Sequence, residues 1–341
     1  MKNNVALVAI ASNEQAYLSE WIFHHLWFGF DPILVLVNRS DDATEALLEQ
    51  INILDSRIWI VNVDFLDVKN QYNSEMQLNA YSYAYKILQE HLNANDYMFC
   101  FDIDEFWTPL DFQTTIHKYL LNRNYPPKCA FNWFCLNDDN NQFGPAFRQT
   151  NFGTHNKHLK SGFQFSESVN RIHAHHVSAP IPKPVLLGTG EILDRSLPKT
   201  SSPPKYFGEI FILHRINRSM IEYIASLGSI DLAEPYSIFK RNRHHGYNFS
   251  EQFKDNIDEF SINLDLLNEY YKEYEKFLLN HNLKKFIFNG RRHVLNKSLE
   301  VINKYNSLSL SEKNKWAKTF KGVDFKKALK IISNGILRQT L

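Results

Sequence analysis

The chain has 341 residues, 44% of them apolar and 14% aromatic, enough to fill one large core or two modest ones and too apolar for a disordered protein. Its 38 Lys and Arg against 37 Asp and Glu leave a net charge of +1, which excludes the global field of a nucleic-acid binder, so no nucleic acid is expected as a partner. No stretch approaches the ~20 apolar residues of a membrane span, and Cys100, Cys129 and Cys135 form neither a CxxC nor a paired framework, which fits a reducing cytoplasm.

The apolar run over residues 5–11 passes straight into Asn13-Glu14 and reads as a first buried strand rather than as a signal peptide. A helix follows with apolar positions at Leu18, Ile22 and Leu26 and stops near Gly29 and Asp31-Pro32. Residues 33–37 read as a second strand, Ser40-Asp41-Asp42-Ala43-Thr44 caps a helix to about residue 54, and 58–63 reads as a third strand. A long helix is predicted over 74–92, a fourth strand over 97–101 and another strand over 128–134. The Pro-, Gly-, Ser- and Thr-rich residues 180–204 read as a long surface loop. From about residue 249 the periods are helical, with Ile257, Phe260, Leu264, Leu267, Tyr271 and Tyr274 on one stripe. Alternating strands and helices predict an α/β fold with a mostly parallel sheet over 1–245 and a helical C-terminal region over 246–341.

The chemistry concentrates in Phe101-Asp102-Ile103-Asp104-Glu105. Two carboxylates two apart at the end of a buried strand are expected to project from one side while Ile103 enters the core. Like charges that close are tolerable with a divalent cation between them, and hard oxygen ligands suit Mn²⁺ or Mg²⁺. The carboxyl end of a strand in an open α/β sheet is also where ligands collect. A pair of aspartates capping the next helix is the structural alternative.

Ala11-Ser12-Asn13-Glu14, then Glu20-Trp21-Ile22 with His24-His25, Gly29-Phe30-Asp31 and Asn38-Arg39-Ser40-Asp41-Asp42-Ala43-Thr44, resemble the opening of bacterial GT-A glycosyltransferases related to families 2 and 92. Gln77 with Ala80-Tyr81 resembles the helix before their metal motif, and Asp102-Ile103-Asp104-Glu105-Phe106 is similar to that motif itself. Phe131-Asn132-Trp133 resembles their acceptor-side strand, and His214-Arg215-Ile216-Asn217-Arg218-Ser219 their His-Tyr-x-x-Lys-Ser element. Ser12 stands where lysine is common. The matches span residues 5–220.

The resemblance implies a GT-A, Rossmann-like catalytic domain that moves a sugar from a nucleotide-diphosphate donor, UDP-hexose by default, to a hydroxyl of a surface glycan or lipid-linked glycan acceptor, with inversion. In that reaction charge grows on the departing diphosphate and a cation must meet it. Asp104 is then expected to hold the metal, Asp102 to meet the ribose or the metal, and His214 to complete the metal shell. Arg218 is expected on a phosphate, which its guanidinium fork suits. Asn13, Glu14, Asn38 and Gln77 are expected around the donor. The general base is sought at Asp138 and Asp139, beyond Trp133, with Glu105 bonding backbone amides beside the motif.

Two other functions compete with this reading: a haloacid-dehalogenase-like phosphotransferase, which also uses an Asp-x-Asp after a strand, and a non-catalytic carbohydrate-binding or scaffold protein. His173 and His175 share a strand face in this reading but have no third ligand at zinc spacing, and Glu20 with His24 is read as a surface i,i+4 pair. Phe325, Leu329, Ile332 and Ile336 lie at helical spacing with Lys326, Lys327 and Lys330 on other faces. Such a helix either docks on the catalytic domain or makes a peripheral contact with an anionic membrane.

Overall fold

The computed structural model describes residues 3–66, 76–136, 141–167, 169–173, 175–178, 183–193, 200–201, 204–228, 237–240, 243, 246–247 and 257–337. Strands β1 (Val5–Ala11), β2 (Ile33–Val37), β3 (Ile58–Asn62) and β4 (Tyr97–Cys100) pair in parallel in the order β3-β2-β1-β4. Helices α1 (Leu18–Trp27), α2 (Thr44–Asn52) and α3 (Met76–Gln89) lie in the connections. β1 is apolar along its whole length because both of its faces are covered. Leu7 and Ala9 join a core cluster with Trp21 and Ile22 of α1, whereas Ala6 and Val8 join another with Ala80 and Ala84 of α3. The order 3-2-1-4 creates a topological switch point between β1 and β4, the position where ligands collect in such sheets.

The other half of the sheet is built differently. β5 (Glu105–Pro109), α4 (Ile116–Asn122), β6 (Lys128–Leu136) and β7 (Thr150–Gln164) follow, and β7 runs antiparallel to both β4 and β6. β8 (Arg171–Ile172) and β9 (Val177–Ser178) form a separate two-stranded sheet. Where a long loop is expected over 180–204, β10 (Val185–Leu187) pairs with β11 (Ile192–Leu193) and with β6. Val185 and Leu187 carry this correction, being buried against Ala130 and Leu159. β12 (Ile210–His214) pairs with β5 and β6.

The helices α5 (Met220–Leu227), α6 (Leu264–Asn280), α7 (Lys284–Ser307), α8 (Leu310–Trp316) and α9 (Phe325–Leu337) complete the elements, with β13 (Asp258–Ser261) between α5 and α6. β13 corrects the expected helical stripe at Ile257 and Phe260: Ile257 lies just before the strand and is exposed, whereas Phe260 pairs with Asn151 of β7 and is buried among Phe134, Phe207 and Phe211. The helical period begins at α6, where Asn263 caps the first turn by accepting from the Asp265 and Leu266 amides. α9 turns the face carrying Phe325, Ala328 and Ile332 inward, with Phe325 against Tyr305 and Phe320, and leaves Lys326, Lys327 and Lys330 exposed together with Leu329 of the expected stripe. Among the described residues no helix is long and apolar enough to cross a membrane.

α1 is buried almost all round, between the sheet and α6. The expected surface pair of Glu20 and His24 therefore does not form: Glu20 accepts from the Ala146 amide, and His24 contacts the Trp107 carbonyl at 2.8 Å and the Tyr270 hydroxyl at 3.2 Å. His25 accepts from the Trp107 amide, so its other ring nitrogen donates to the Trp21 carbonyl and the ring is neutral. Burial drives the His24 pKa down to about 3 and that of His25 well below its ordinary value. Unfolded, both take up protons below about pH 6.5, whereas the folded chain does not, so each contributes stability that is present above that pH and lost as pH falls towards the folded value. His24→Phe, which has no such proton to bind, is expected to be less stable than wild type at pH 7. Urea unfolding from pH 7 to 4.5 should show the gap narrowing by about 1.4 kcal/mol per pH unit below 6.5; a constant gap excludes the assignment.

Candidate active site

β4 ends at Cys100 and β5 begins at Glu105, so Asp102, Ile103 and Asp104 form the turn between two strands, closed by the Glu105 amide donating to the Asp102 carbonyl at 3.0 Å. This corrects the expectation that the two aspartates project from one side. A strand returns every second residue to one face, but a turn does not. Asp102 reaches Lys160 at 2.8 Å, whereas Asp104 faces His214 at 3.6 Å. Ile103 is buried, as its apolar side chain between two charges requires. The indole N–H of Trp21 fixes the turn from below, lying 3.0 Å from the Asp102 carbonyl and 2.9 Å from that of Glu105. Glu105 is structural in the way its position suggests, accepting the Asp102 amide at 2.9 Å.

His214 arrives from the far half of the sheet because β12 is held twice: His214 stands opposite Glu105 of β5 and opposite Cys135 of β6. The Trp133 ring lies 4.3 Å from its own, and the Arg215 amide donates to the Asp104 carbonyl at 2.9 Å. Burial opposes a charge on His214, yet the Asp104 carboxylate raises its pKa to about 10. Burial likewise opposes the charge on Asp104, and His214 with the more distant Arg218 overcomes it, holding that carboxyl well below the usual range. At 3.6 Å the pair is too far apart for a hydrogen bond. Two ligands of a hard divalent cation, each at about 2.1 Å, stand about 3 Å apart or more. Among the described residues no three His, Cys, Asp or Glu side chains are grouped to hold a metal by themselves. Asp104 and His214 could hold a hard divalent cation between them only with the His214 proton displaced, the rest of the shell coming from phosphate oxygens and water.

Across the switch point, the loops after β1 and β2 are stitched together. Asn13, at a φ of 60°, accepts the amides of Asp41 and Asp42 with its side-chain oxygen, so its own role is to join the loops. Asn38, just after β2, is buried, and its side-chain oxygen has no hydrogen-bond partner among the described residues. Such an acceptor is costly unless a ligand or water meets it. Glu14 pairs with Arg218 at 3.0 Å, and the Arg218 guanidinium lies 3.6 Å from the centre of the Tyr17 ring. Arg39 and Arg218, at φ of 45° and 52°, are two more non-glycine residues in the left-handed region. Such conformations cost about 1 kcal/mol or more each and gather at functional sites.

The structure thus brings together Glu14, Asp102, Asp104, His214 and Arg218, with Asn13 and Asn38 at the adjoining strand ends. Gln77 is exposed on α3 and contacts the Tyr81 hydroxyl at 3.4 Å. Asp138 and Asp139 lie outside the described residues. His173 and His175 do not share a strand face, because β8 ends at Ile172 and β9 begins at Val177: His173 stacks on His176, whereas His175 packs on Trp133 and lies 3.1 Å from the Leu159 carbonyl. A cleft of about 350 Å³ opens beside Arg218, bounded by Leu136, Arg148, Asn151, Phe152 and Arg215. A smaller one of about 220 Å³, with Tyr17, Glu20, Phe143, Tyr271 and Arg291 in its wall, shares Pro145 and Arg215 with it. Lys160 lies beside the turn outside every motif, and Arg215, inside the His214–Ser219 element, lines both clefts although the sequence gives it no role. Comparison with known proteins adds no assignment: no family model matches the chain, and no curated protein matches it.

The two bonds from Trp21 make the turn depend on α1. Trp21→Phe retains most of the apolar bulk but removes the donor from two buried carbonyls, and is expected to cost about 2 kcal/mol or more. Urea midpoints measure this; a loss below about 0.5 kcal/mol means that the indole does not anchor the turn.

Proposed function

We propose that the chain is a metal-dependent glycosyltransferase that moves a hexose from a nucleotide diphosphate, UDP in the first instance, to a hydroxyl of a glycan or lipid-linked glycan acceptor. The observation that supports this best is the Asp104–His214 pair, spaced for a shared divalent cation, at a switch point with Arg218 beside it. A divalent cation bound there supplies charge neutralisation to the departing diphosphate. Arg218 sits within the electrostatic reach of Asp104 and offers a fixed guanidinium fork to a phosphate, its geometry set by the Tyr17 ring and Glu14. Asn38 offers its unpartnered side-chain oxygen to an N–H or O–H donor of the nucleoside. The outward side of Asp102 is open for the ribose or the metal, since its side chain is 41% exposed. The acceptor side is assigned to the cleft bounded by Leu136 and Phe152. Asp138 and Asp139, the candidate bases for an inverting displacement, follow Leu136 in sequence and lie outside the described residues. A contact with an anionic membrane, if the enzyme makes one, is electrostatic through Lys326, Lys327 and Lys330, because the apolar face of α9 is already docked.

Asp104→Ala is expected to leave the fold intact, abolish Mn²⁺-dependent UDP binding in a thermal-shift titration and reduce transfer below a tenth of wild type, as loss of a ligand to a catalytic metal removes several kcal/mol. Undiminished Mn²⁺-dependent binding by this variant removes the metal role.

Arg218→Ala is expected to weaken UDP binding about tenfold or more, and Arg218→Lys to recover part of the loss because the charge remains while the fork does not. Equal UDP affinity in all three proteins contradicts the phosphate contact.

A further inference from the structure

The cleft beside Arg218 is charged in a way that the chain as a whole is not. With a net charge of +1 the molecule has no global field, so an ionic ligand has to be met locally. Arg148, Arg215 and Arg218 all line this one cleft, and among the described residues no carboxylate does. Two of the three come from a single turn after β12: the Arg215 amide donates to the Asp104 carbonyl at 2.9 Å, and the Arg215 carbonyl accepts the Arg218 amide at 3.2 Å. The third stands at the entry to β7. Its backbone is closed on the buried Asn151, whose side-chain oxygen accepts the Arg148 amide at 3.0 Å and whose side-chain nitrogen donates to the Arg148 carbonyl at 2.7 Å.

The acids on adjoining elements do not use up these donors. Glu14 is paired with Arg218, Glu20 accepts the Ala146 amide at 2.8 Å within the electrostatic reach of Arg215, and Asp258 lies 3.1 Å from His155. A guanidinium carries five N–H donors and one carboxylate takes two of them, so an arginine held in an ion pair still has donors for a ligand. A diphosphate at Arg218 accounts for one fork. It gives no account of Arg148, which is exposed and comes from another element.

Apolar surface accompanies the charge. Phe152 and Ile257 line the same cleft and are 51% and 47% exposed, so two large side chains are left half in water beside three cations. Contiguous apolar surface rimmed by polar groups marks a ligand groove more often than a lone exposed residue does. The combination suits a ligand that is part sugar ring and part oxyanion, the C–H face of the ring covering Phe152 and Ile257 and the anion meeting the guanidinium groups.

We propose that this cleft selects an acidic acceptor, a glycan that carries a carboxylate or phosphate oxyanion close to the hydroxyl to be glycosylated, and that Arg148 and Arg215 read that charge. This rests on the glycosyltransferase reading and names the class of its acceptor. The oxyanion has two sources, the carboxylate of a uronic acid and the phosphate of a phosphorylated or lipid-diphosphate-linked sugar. Both present paired oxygens that a guanidinium meets with two hydrogen bonds.

The test uses the full chain at saturating UDP and Mn²⁺, so that the donor subsite is filled, and titrates methyl glucuronide, its uncharged counterpart methyl glucoside, and glucose 6-phosphate by saturation-transfer NMR. Wild type is expected to bind at least one charged probe about tenfold or more tightly than the glucoside, the gain from a charge-assisted pair. Which charged probe binds more tightly identifies the source. Arg148→Gln, at an exposed position, is expected to cut the preference to about threefold or less, and Arg148→Lys to keep part of it because the charge remains while the fork does not. Equal affinity of wild type for charged and uncharged probes overturns the inference. So does a preference that survives intact in both Arg148→Gln and Arg215→Lys, and so does a charged probe that displaces UDP, since the arginines then serve the donor alone. A wild type that binds no UDP refutes the transferase reading and the acceptor role with it, and the same titration without nucleotide then shows whether the cleft binds an anion at all.

Discussion

Three carboxylates within four residues, Asp102, Asp104 and Glu105, stand where β1, β4, β5 and β12 converge, and the fold has to offset their mutual repulsion at each one separately. Glu105 is sealed from water, and burial pushes its pKa up to about 7 against the pull of Lys160. Asp102 shares that ammonium, while Asp104 relies on His214. Each compensating group comes from a different strand of the antiparallel half, β7 or β12, whereas the backbone of the turn is held from α1. The parallel half supplies the crevice and the antiparallel half supplies the charges. Neither alone makes a site, which explains why a mixed sheet and not a simple doubly wound one surrounds this turn.

The parallel half was largely legible in the sequence. Runs such as Val5–Ala11 and Ile33–Val37 are apolar throughout because they are buried on both faces, and each is followed within a few residues by turn or capping signals. The other half was less legible, for a physical reason. β7 is long, mostly polar and half exposed, with Thr154, His155, Asn156, Lys157 and His158 in succession, so neither a continuous apolar run nor a clean alternation marks it. Its place is fixed by pairing with β4 and β6 across long sequence separations. The strand at Phe260 fails for a related reason, since one large apolar residue in a four-residue strand is indistinguishable from one position of a helical stripe.

The site divides in the same way. Asp104, His214 and Arg218 carry chemistry in their residue types and were found from motifs, and the structure puts them beside one another. Lys160 was not, because a lysine in a polar stretch gives no sign that it is buried. The geometry of Asp102 departs from the expected one because β4 ends at Cys100, one residue short of the apolar run, which converts a strand alternation into a turn and sends the two aspartates apart. Asn13 illustrates a third case, a residue expected around a donor whose side chain is instead occupied in holding the loop after β2.

The seating of α6 and α7 against the first loops has a consequence for how the chain reaches this state. Gln15 donates to the Phe286 carbonyl, Asp41 meets His293 and Lys297, and the aromatic face of α1 at Phe23 and Trp27 is covered by Tyr270, Tyr274 and Phe277. These contacts join segments more than 200 residues apart, so α1 and the loops after β1 and β2 leave the ribosome well before their cover exists. At about 5–20 residues per second, that delay is on the order of ten seconds or more. Through that interval a wide aromatic surface is open to other chains, the condition under which nascent proteins recruit chaperones. The loops after β1 and β2 therefore acquire their final support only when α7 emerges, which makes them among the last parts of the molecule to be set although they are among the first to be made.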